Sequence, residues 1–239
     1  MAADGQRIYS VWTRPRAARE QLSRGQIVSE AVRLLDAEGI ESLSMRRLGT
    51  RLGAGATSLY RHVANKGELI ELVVDEVYGE LEVPDADDPA GWRDAVGRGA
   101  RSLRATALRH PWIASLLGRV GLAGLGPNLM RMSDRMLALL EAAGFAPAEA
   151  DRAMSTVIAY VVGTATGEAG HLSLLARSGQ DEQAWRESLR PVVERAVEEY
   201  PRLRQGHSAR GGDPRAIREE TFEYGLQRVL DGLAARLER

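Results

Sequence analysis

The chain has 239 residues, of which 44% are hydrophobic and 27% charged, so it has enough apolar sequence to bury a core and is not a disordered chain. Aromatic residues make up only 5%, whereas alanine, leucine, arginine and glutamate are abundant, and this composition favours helices over all-β folds. The lack of cysteine excludes disulfides, thiol catalysis, cysteine-ligated zinc and Fe–S clusters, and the net charge of −1, taken alone, argues against a nucleic-acid binder.

Residues 1–22 are predicted to form a flexible basic arm, because they carry four arginines and no apolar periodicity. They do not show the apolar core of a secretory signal. No later apolar stretch reaches the roughly 18 to 20 residues that span a bilayer. The sequence therefore predicts a soluble, cytoplasmic protein with no membrane association.

Four helices are predicted within residues 23–80 from apolar residues at helical spacing. They cover residues 24–38, 44–52, 57–63 and 66–80. Ser23 with Gln26, and Asn65 with Glu68, form capping-box patterns at the start of the first and the last of them.

The acidic, proline-bounded segment 82–89 predicts a connection to a second part, residues 89–239. Helices are predicted in this part from apolar spacing and from prolines at first helical positions. They cover residues 89–109, 111–117, 127–143, 147–177, 181–199 and 214–237. The expected fold class is all-α, and the apolar stripes of 147–177 and 214–237 predict a four-helix seam between two copies of the chain.

The two short helices at 44–52 and 57–63 have the spacing of a helix-turn-helix motif, whose second helix lies in the major groove of DNA. Residues 1–66 carry eleven basic and six acidic side chains, so this segment has five excess positive charges and the rest of the chain six excess negative ones. The near-neutral sum thus hides a basic segment that is typical of a DNA-binding module.

The run from Leu22 to Val77 resembles the DNA-binding domain of the tetracycline-repressor (TetR) family of bacterial transcriptional regulators. The resemblance rests on a helix that ends in AEG, followed by SMRRLGTRLG and then LYRHVANKGEL. Downstream, RHPWIASLL (109–117), ALLEAAGF (138–145) and AYVVGTATGE (159–168) are similar to the C-terminal domain of the branch that contains the tetracycline repressors themselves.

This resemblance implies a homodimeric repressor that binds a double-stranded DNA operator and is released by an unknown small-molecule effector. By position, it implies DNA contacts from Arg46 on the second helix, from Lys66 at the start of the connecting helix, and from the recognition helix. The recognition-helix residues are Ala56, Thr57, Ser58, Tyr60, Arg61 and His62. Ala56 replaces a reader of base edges and Arg61 replaces an aromatic residue, so a different operator is expected, with Arg61 suited to hold guanine bidentately.

Aromatic, methionine and histidine residues of the second part are candidates for lining an effector pocket. They are Trp92, Trp112, Met130, Met136, Phe145, Tyr160 and His171. Such residues at helical spacing are also typical of a core, so that interpretation stays open. His110 is interpreted as a structural residue at a helix junction. The metal ligands of the tetracycline repressors fall near Leu117 and Gly167, so neither a metal site nor a tetracycline–magnesium complex is expected.

No catalytic residues and no cofactor are expected, because the chain has no HExxH or GxSxG motif and no glycine-rich nucleotide loop after a strand. Two alternatives remain open. One is an activator or an effector-independent DNA binder, which a second part without a cavity would favour. The other is a helical enzyme or small-molecule carrier with a vestigial DNA-binding part, against which DNA binding with a steep salt dependence would argue.

Overall fold

The computed structural model describes residues 22–82, 91–117, 126–209 and 212–237, and within them it is all-α, as predicted, with no strand. In chain order the helices are α1 (Arg24–Glu38), α2 (Met45–Arg51), α3 (Ala56–Leu59), α4 (Lys66–Tyr78), α5 (Trp92–Arg109), α6 (Pro111–Leu117), α7 (Pro127–Ala142), α8 (Pro147–Ser178), α9 (Glu182–Ala196), α10 (Pro201–Ala209) and α11 (Pro214–Leu237). Of the predicted basic arm 1–22, only residue 22 is described, and of the acidic connection 82–89, only residue 82. The rest of both segments lies outside the described residues. None of the described helices combines the length and apolar character needed to cross a membrane.

The predicted caps are present at the starts of α1 and α4. Ser23 Oγ accepts from the Gln26 amide at 3.2 Å, and the Gln26 side chain accepts from the Ser23 amide at 2.8 Å, which completes a capping box. At α4, Asn65 Oδ1 accepts from the Glu68 amide at 2.9 Å. These bonds satisfy amides that have no partner inside the helix, so they fix where each helix begins.

Two predicted helix boundaries were wrong. The helix predicted over 57–63 is shorter, because α3 ends at Leu59 and residues 60–62 form a turn that leads towards the Asn65 cap. The helix predicted over 181–199 is also shorter, because α9 ends at Ala196, and a further helix beyond residue 199 was missed. Pro201 begins α10, since a proline at the first helical position needs no amide partner, and Gly206 lies inside this helix.

Helices α1 to α4 form a head with its own leucine- and valine-rich core. Its fully buried side chains include Ile27, Leu34, Leu35, Leu48, Leu59, Leu69 and Val73. Trp112, Ile113 and Leu116 of α6 pack against the same core, so the head is joined to the rest of the chain by continuous apolar packing.

Helices α5 to α11 form a body around α8, which packs against α5, α6, α7, α9 and α11. Val157, Val161 and Phe222 lie in the body core, with Trp92 and Phe145 in edge-to-face contact at 5.5 Å between ring centroids. Helix α8 is therefore the central helix of the body, while its outer face is exposed.

The turn between α2 and α3 depends on two glycines. Gly53 has φ +60°, a left-handed conformation that glycine adopts without a steric penalty. A Cβ on Gly49 would lie 2.8 Å from the backbone oxygen of Ala54, which is too close for carbon. The small residue at 49 therefore lets the two short helices of the motif approach.

We expect Gly49→Ala to lower the free energy of unfolding by about 1–3 kcal/mol, because the added methyl group meets backbone that cannot rotate away. Urea unfolding followed by circular dichroism measures this change. Gly25→Ala is the matched control, since Gly25 lies in the exposed first turn of α1 and an added Cβ would meet only Ser23 Oγ, at 4.0 Å. Equal stability of the two variants would show that the close turn is not required.

Candidate nucleic-acid interface and effector cavity

The residues predicted to contact DNA lie between Ala56 and Lys66, except for Arg46, which lies on α2, a helix in contact with α3. Leu59 and Val63 are buried in the head core and anchor this stretch. Around them, the side chains of Thr57, Tyr60 and Arg61 are exposed, with Tyr60 at 52%. Ala56, Ser58 and His62 are half-buried, whereas Arg46 and Lys66 are exposed. Tyr60, Arg61 and His62 belong to the turn after α3 and not to the helix itself.

Several arginines of the head are used internally to hold α2 against α1. Arg47 forms an ion pair with Glu38, and Arg51 donates to Glu30 at 2.5 Å. The hydrogen bond from Arg51 lowers the pKa of Glu30. These arginines are neutralised within the chain and contribute little free positive charge.

Three cations of the head behave differently. Within the described part of the chain, the side chains of Arg46, Arg61 and Lys66 form no ion pair and no hydrogen bond with the protein. They are the cations for which the family resemblance implies DNA contact. The pairing pattern therefore leaves positive charge exposed near α2, α3 and the start of α4, where an anionic partner can approach.

Arg24, at the start of α1, fixes the turn between α3 and α4. Its Nε donates to the backbone oxygen of His62 at 3.3 Å, and its guanidinium lies 3.7 Å from the Glu68 carboxylate. Glu68 in turn accepts from the Ala64 amide at 2.6 Å. This arginine, which sequence reasoning missed, thus positions the segment that carries Tyr60 and Arg61.

His110 lies at the junction of head and body, as its interpretation as a structural residue predicts. It is buried between two carboxylates. Its Nδ1 is 2.6 Å from Asp36 of α1, and its Nε2 is 3.2 Å from Glu80, just after α4. Trp112 Nε1 donates to the same Asp36 oxygen at 2.7 Å. The end of α5 is therefore linked by hydrogen bonds to both α1 and α4.

A small apolar cavity of about 40 Å³ lies in the body between α5, α7 and α8. Its lining residues are Leu81, Glu82, Val96, Gly99, Ala100, Leu103, Met132, Met136, Leu140, Met154, Val157 and Ile158. Glu82 is the one charged residue in this lining. The cavity favours apolar ligand groups, and three methionines give its walls adaptable side chains.

Of the seven residues predicted to line an effector pocket, only Met136 lines this cavity. Trp92 and Phe145 are core residues that contact each other, and Tyr160 stacks on Phe222 and donates to its backbone oxygen at 2.7 Å. The remaining three lie elsewhere: Trp112 at the head–body junction, Met130 exposed on α7, and His171 beside Glu182 and Trp185.

The missed lining residues carry a signal in the sequence. Val96, Ala100 and Leu103 repeat at helical spacing on α5, and Met132 lies one turn before the predicted Met136 on α7. The sequence shows the same apolar periodicity whether that helix face packs against other core residues or lines a cavity.

A second, polar cluster links α5, α8 and α11. The buried Arg104 donates to both oxygens of Glu168, at 2.9 and 3.1 Å, and to Glu219 at 2.6 Å. Its guanidinium also lies 4.4 Å from the centre of the Phe222 ring. Burial alone would lower the pKa of Arg104, but the hydrogen bonds to Glu168 and Glu219 outweigh it and raise the pKa above its ordinary value.

The carboxylates of this cluster are occupied by arginines and do not form a metal site. Glu168 also pairs with Arg218 at 3.1 Å. Throughout the ranges that the structure describes, no group of three or more histidine or acidic side chains is placed to hold a metal ion.

Two models of known families match the chain. Residues 27–73 match "Bacterial regulatory proteins, tetR family", and residues 83–237 match "Tetracyclin repressor-like, C-terminal domain". The first match covers most of the head and the second covers the body, so together they account for nearly all of the described residues.

Individual relatives match over most of their length. The chain is 38% identical to an HTH-type transcriptional regulator of Saccharopolyspora erythraea, over 95% of this chain and 92% of that protein. The Streptomyces coelicolor TetR family protein ActR, solved in complex with actinorhodin, is 30% identical with a TM-score of 0.73, over 91% of this chain and 99% of ActR. BioQ, solved with its double-stranded DNA operator, is 28% identical with a TM-score of 0.62, over 90% and 99%.

Proposed function

The chain belongs to the TetR family of bacterial transcriptional regulators, which are DNA-binding proteins and not enzymes, and on this premise we propose that it is a homodimeric repressor released from a palindromic operator by a small molecule. The observation that carries the proposal is the exposed, unpaired charge of Arg46, Arg61 and Lys66 on the described surface of the head. The similarity to BioQ, which was solved with operator DNA, supports the same assignment.

In this proposal the first turn of α3 enters the major groove. Arg61 holds a guanine edge, while Tyr60 and Lys66 contact phosphates on either side. In a two-fold symmetric dimer the two heads read half-sites about 34 Å apart, which is one helical turn of DNA. The distance between the two heads therefore determines the affinity for the operator.

The proposal assigns each segment of the chain a role. Residues 23–80 bind DNA through the helix-turn-helix and its connecting helix, and residues 89–239 bind the effector and dimerise. The four arginines of residues 1–22 add positive charge near DNA.

The outer faces of α8 and α11 support dimerisation. Gly163, Gly167 and Gly170 lie along the exposed face of α8, and a Cβ on any of them would meet nothing within 4 Å. Tyr224 is 68% exposed on α11. A face of small residues lets a second helix approach closely, so the α8 and α11 pairs of two chains can form a four-helix seam.

We expect Gly163→Arg to weaken dimerisation at least about 10-fold, because the side chain has room in one chain but would lie between helices in the dimer. Size-exclusion chromatography with light scattering at micromolar concentration measures the change. Ala138→Arg, on the exposed face of α7, is the matched control and should remain dimeric. A wild-type chain that elutes as a monomer would refute the dimer.

The cavity between α5, α7 and α8 is the proposed effector site. Its almost wholly apolar lining suits a neutral, hydrophobic ligand, and ActR, solved with actinorhodin, is a relative that binds a small molecule. The presence of a cavity favours a ligand-responsive regulator over an effector-independent DNA binder. Ligand and operator must then weaken each other's binding by the same factor.

Two linked experiments test this function. Selection of random duplexes with the wild-type chain should yield a palindrome, and a thermal-shift screen of hydrophobic compounds should yield ligands that raise the melting temperature. Each hit should release the palindrome, and the palindrome should weaken binding of the hit equally. A selection that enriches no sequence, or hits that leave DNA binding unchanged, would contradict a ligand-responsive repressor.

A further inference from the structure

Helix α7 is capped by a residue from the head and not by its own sequence. Gly126, at its N-cap position, offers no side chain. Instead, Asp75 Oδ1 of α4 accepts from the amides of Asn128 at 3.0 Å and Leu129 at 3.1 Å. The Asn128 side chain returns a hydrogen bond to the Asp75 backbone oxygen at 3.1 Å. One carboxylate therefore satisfies two first-turn amides of a helix in the other part of the molecule.

The approach of the two helices depends on the absence of a side chain at Gly126. A Cβ there would overlap the Asp75 carboxylate. The negative charge of Asp75 also lies at the end of α7 where the helix dipole is positive. Gly126, the hydrogen bonds to Asp75 and the negative charge of Asp75 together define a specific junction between α4 and α7.

The same helix α7 forms one wall of the apolar cavity through Met132, Met136 and Leu140. At about 40 Å³ the cavity is far smaller than the ~300–1,000 Å³ pockets that hold drug-sized ligands. A ligand of that size has to displace a wall. Displacement of α7 acts on α4 through the hydrogen bonds to Asp75.

We propose that Asp75 is the positioning residue that transmits movement of α7 to α4 and so to the DNA-binding surface. The inference rests on the proposed function and specifies how the cavity and the head are coupled. Lys66 begins α4 at the DNA-binding surface and Asp75 lies near its other end, so the helix carries the displacement as a rigid element along about 14 Å.

A side chain that fills the cavity replaces the unidentified ligand in the test. Gly99 of α5 lines the cavity, and a Cβ on it would lie 3.0 Å from Met136 Cε of α7. Methionine at this position occupies the cavity and moves α7 outward, while the gain in helix propensity over glycine protects folding. Gly99→Ala fills less of the cavity and should displace α7 by a smaller amount.

The experiment is a double-mutant cycle on affinity for the palindrome selected by the wild-type chain. We expect Gly99→Met to weaken operator binding about 10-fold, within the usual range of allosteric coupling. Asp75→Ala should change affinity less than about 3-fold, and the Gly99→Met effect should disappear in the Asp75→Ala background. Asp75→Asn, which keeps the accepting oxygen, should restore the effect.

Glu76→Ala is the matched control, because it removes the same charge from the neighbouring, exposed position of α4 and should leave the Gly99→Met effect intact. Circular dichroism melts establish that each variant is folded. Hydrogen exchange without DNA gives an independent readout, since Gly99→Met should alter amide protection in α4 only when Asp75 is present.

The outcomes separate the two proposals. A Gly99→Met effect of equal size with and without Asp75, or no effect in either background, would overturn the role of Asp75. Failure of the wild-type chain to bind any selected duplex would contradict the proposed function instead, and the exchange measurement would still decide whether Asp75 couples α7 to α4.

Discussion

Replacing Arg61 with alanine should weaken binding to the selected operator on the order of 10- to 100-fold and relax the preference for one base pair in each half-site. The reason is that a bidentate arginine–guanine contact is worth about 1–3 kcal/mol of discrimination. Arg61 is exposed in the turn after α3 and forms no ion pair with the described residues, so its loss should not disturb the fold. Binding to a panel of single-base operator variants measures both effects.

Lys66→Ala and Tyr60→Ala should weaken binding several-fold for every sequence, because their proposed contacts are to phosphates. For Lys66→Ala the slope of log affinity against log salt should also fall by about 1 for each copy in the dimer. A basic residue that already has a partner provides the control: replacing Arg33, which pairs with Glu30 at 2.8 Å, by alanine should have little effect on affinity or on the salt slope. Unchanged binding in both Tyr60→Ala and Lys66→Ala would refute the proposed orientation of the head.

Arg104→Met should lower the free energy of unfolding by about 3 kcal/mol, the largest effect on stability that we expect from a single substitution in the body. The Arg104 side chain is 9% exposed, and its removal leaves the nearly buried Glu168 with Arg218 as its remaining partner. Breaking a buried pair by removing one member is costly because the other charge stays buried. Urea unfolding at fixed protein concentration measures the change.

Arg101→Met is the matched control for this substitution. Arg101 lies one turn earlier on α5 and binds both oxygens of Glu223, at 2.6 and 2.7 Å, but its side chain is 42% exposed. Because water screens this pair, its loss should lower the free energy of unfolding by less than about 1 kcal/mol. If the two variants lowered the free energy of unfolding by similar amounts, burial would not determine the contribution of Arg104 to stability.

The head could be predicted from sequence because local signals specify it. Capping residues set the starts of α1 and α4, and Gly53 marks the turn of the helix-turn-helix motif. The sequence could not distinguish the paired Arg47 from the unpaired Arg46. That distinction depends on where Glu38 of another helix lies, which is a tertiary contact.

The effector cavity could not be predicted, for a related physical reason. Periodicity shows which face of a helix is apolar but not whether the facing surface leaves a gap. Trp112 illustrates the limit: its amphipathic ring suits a ligand pocket, yet its Nε1 donates to Asp36 at the head–body junction. The Asp75 junction was equally hidden, because the cap of α7 comes from a residue some 50 positions earlier in the chain.

The head and body of the molecule are joined by two polar junctions of different character. His110 bridges Asp36 and Glu80 at the end of α5, while Asp75 caps α7. Both act on helices of the head, and the body helices that they hold, α5 and α7, both line the cavity. This arrangement provides a short physical path from an occupied cavity to the surface that binds DNA.

Operator recognition by two heads is the central claim, and a fluorescence-anisotropy titration of the wild-type chain at physiological salt tests it most directly. The duplexes are the selected palindrome and the same duplex with one half-site scrambled. We predict two chains per palindrome and an affinity at least about 10³-fold above that for non-specific DNA, most of which is lost when one half-site is scrambled. Equal affinity for the intact and the scrambled duplex would contradict this account.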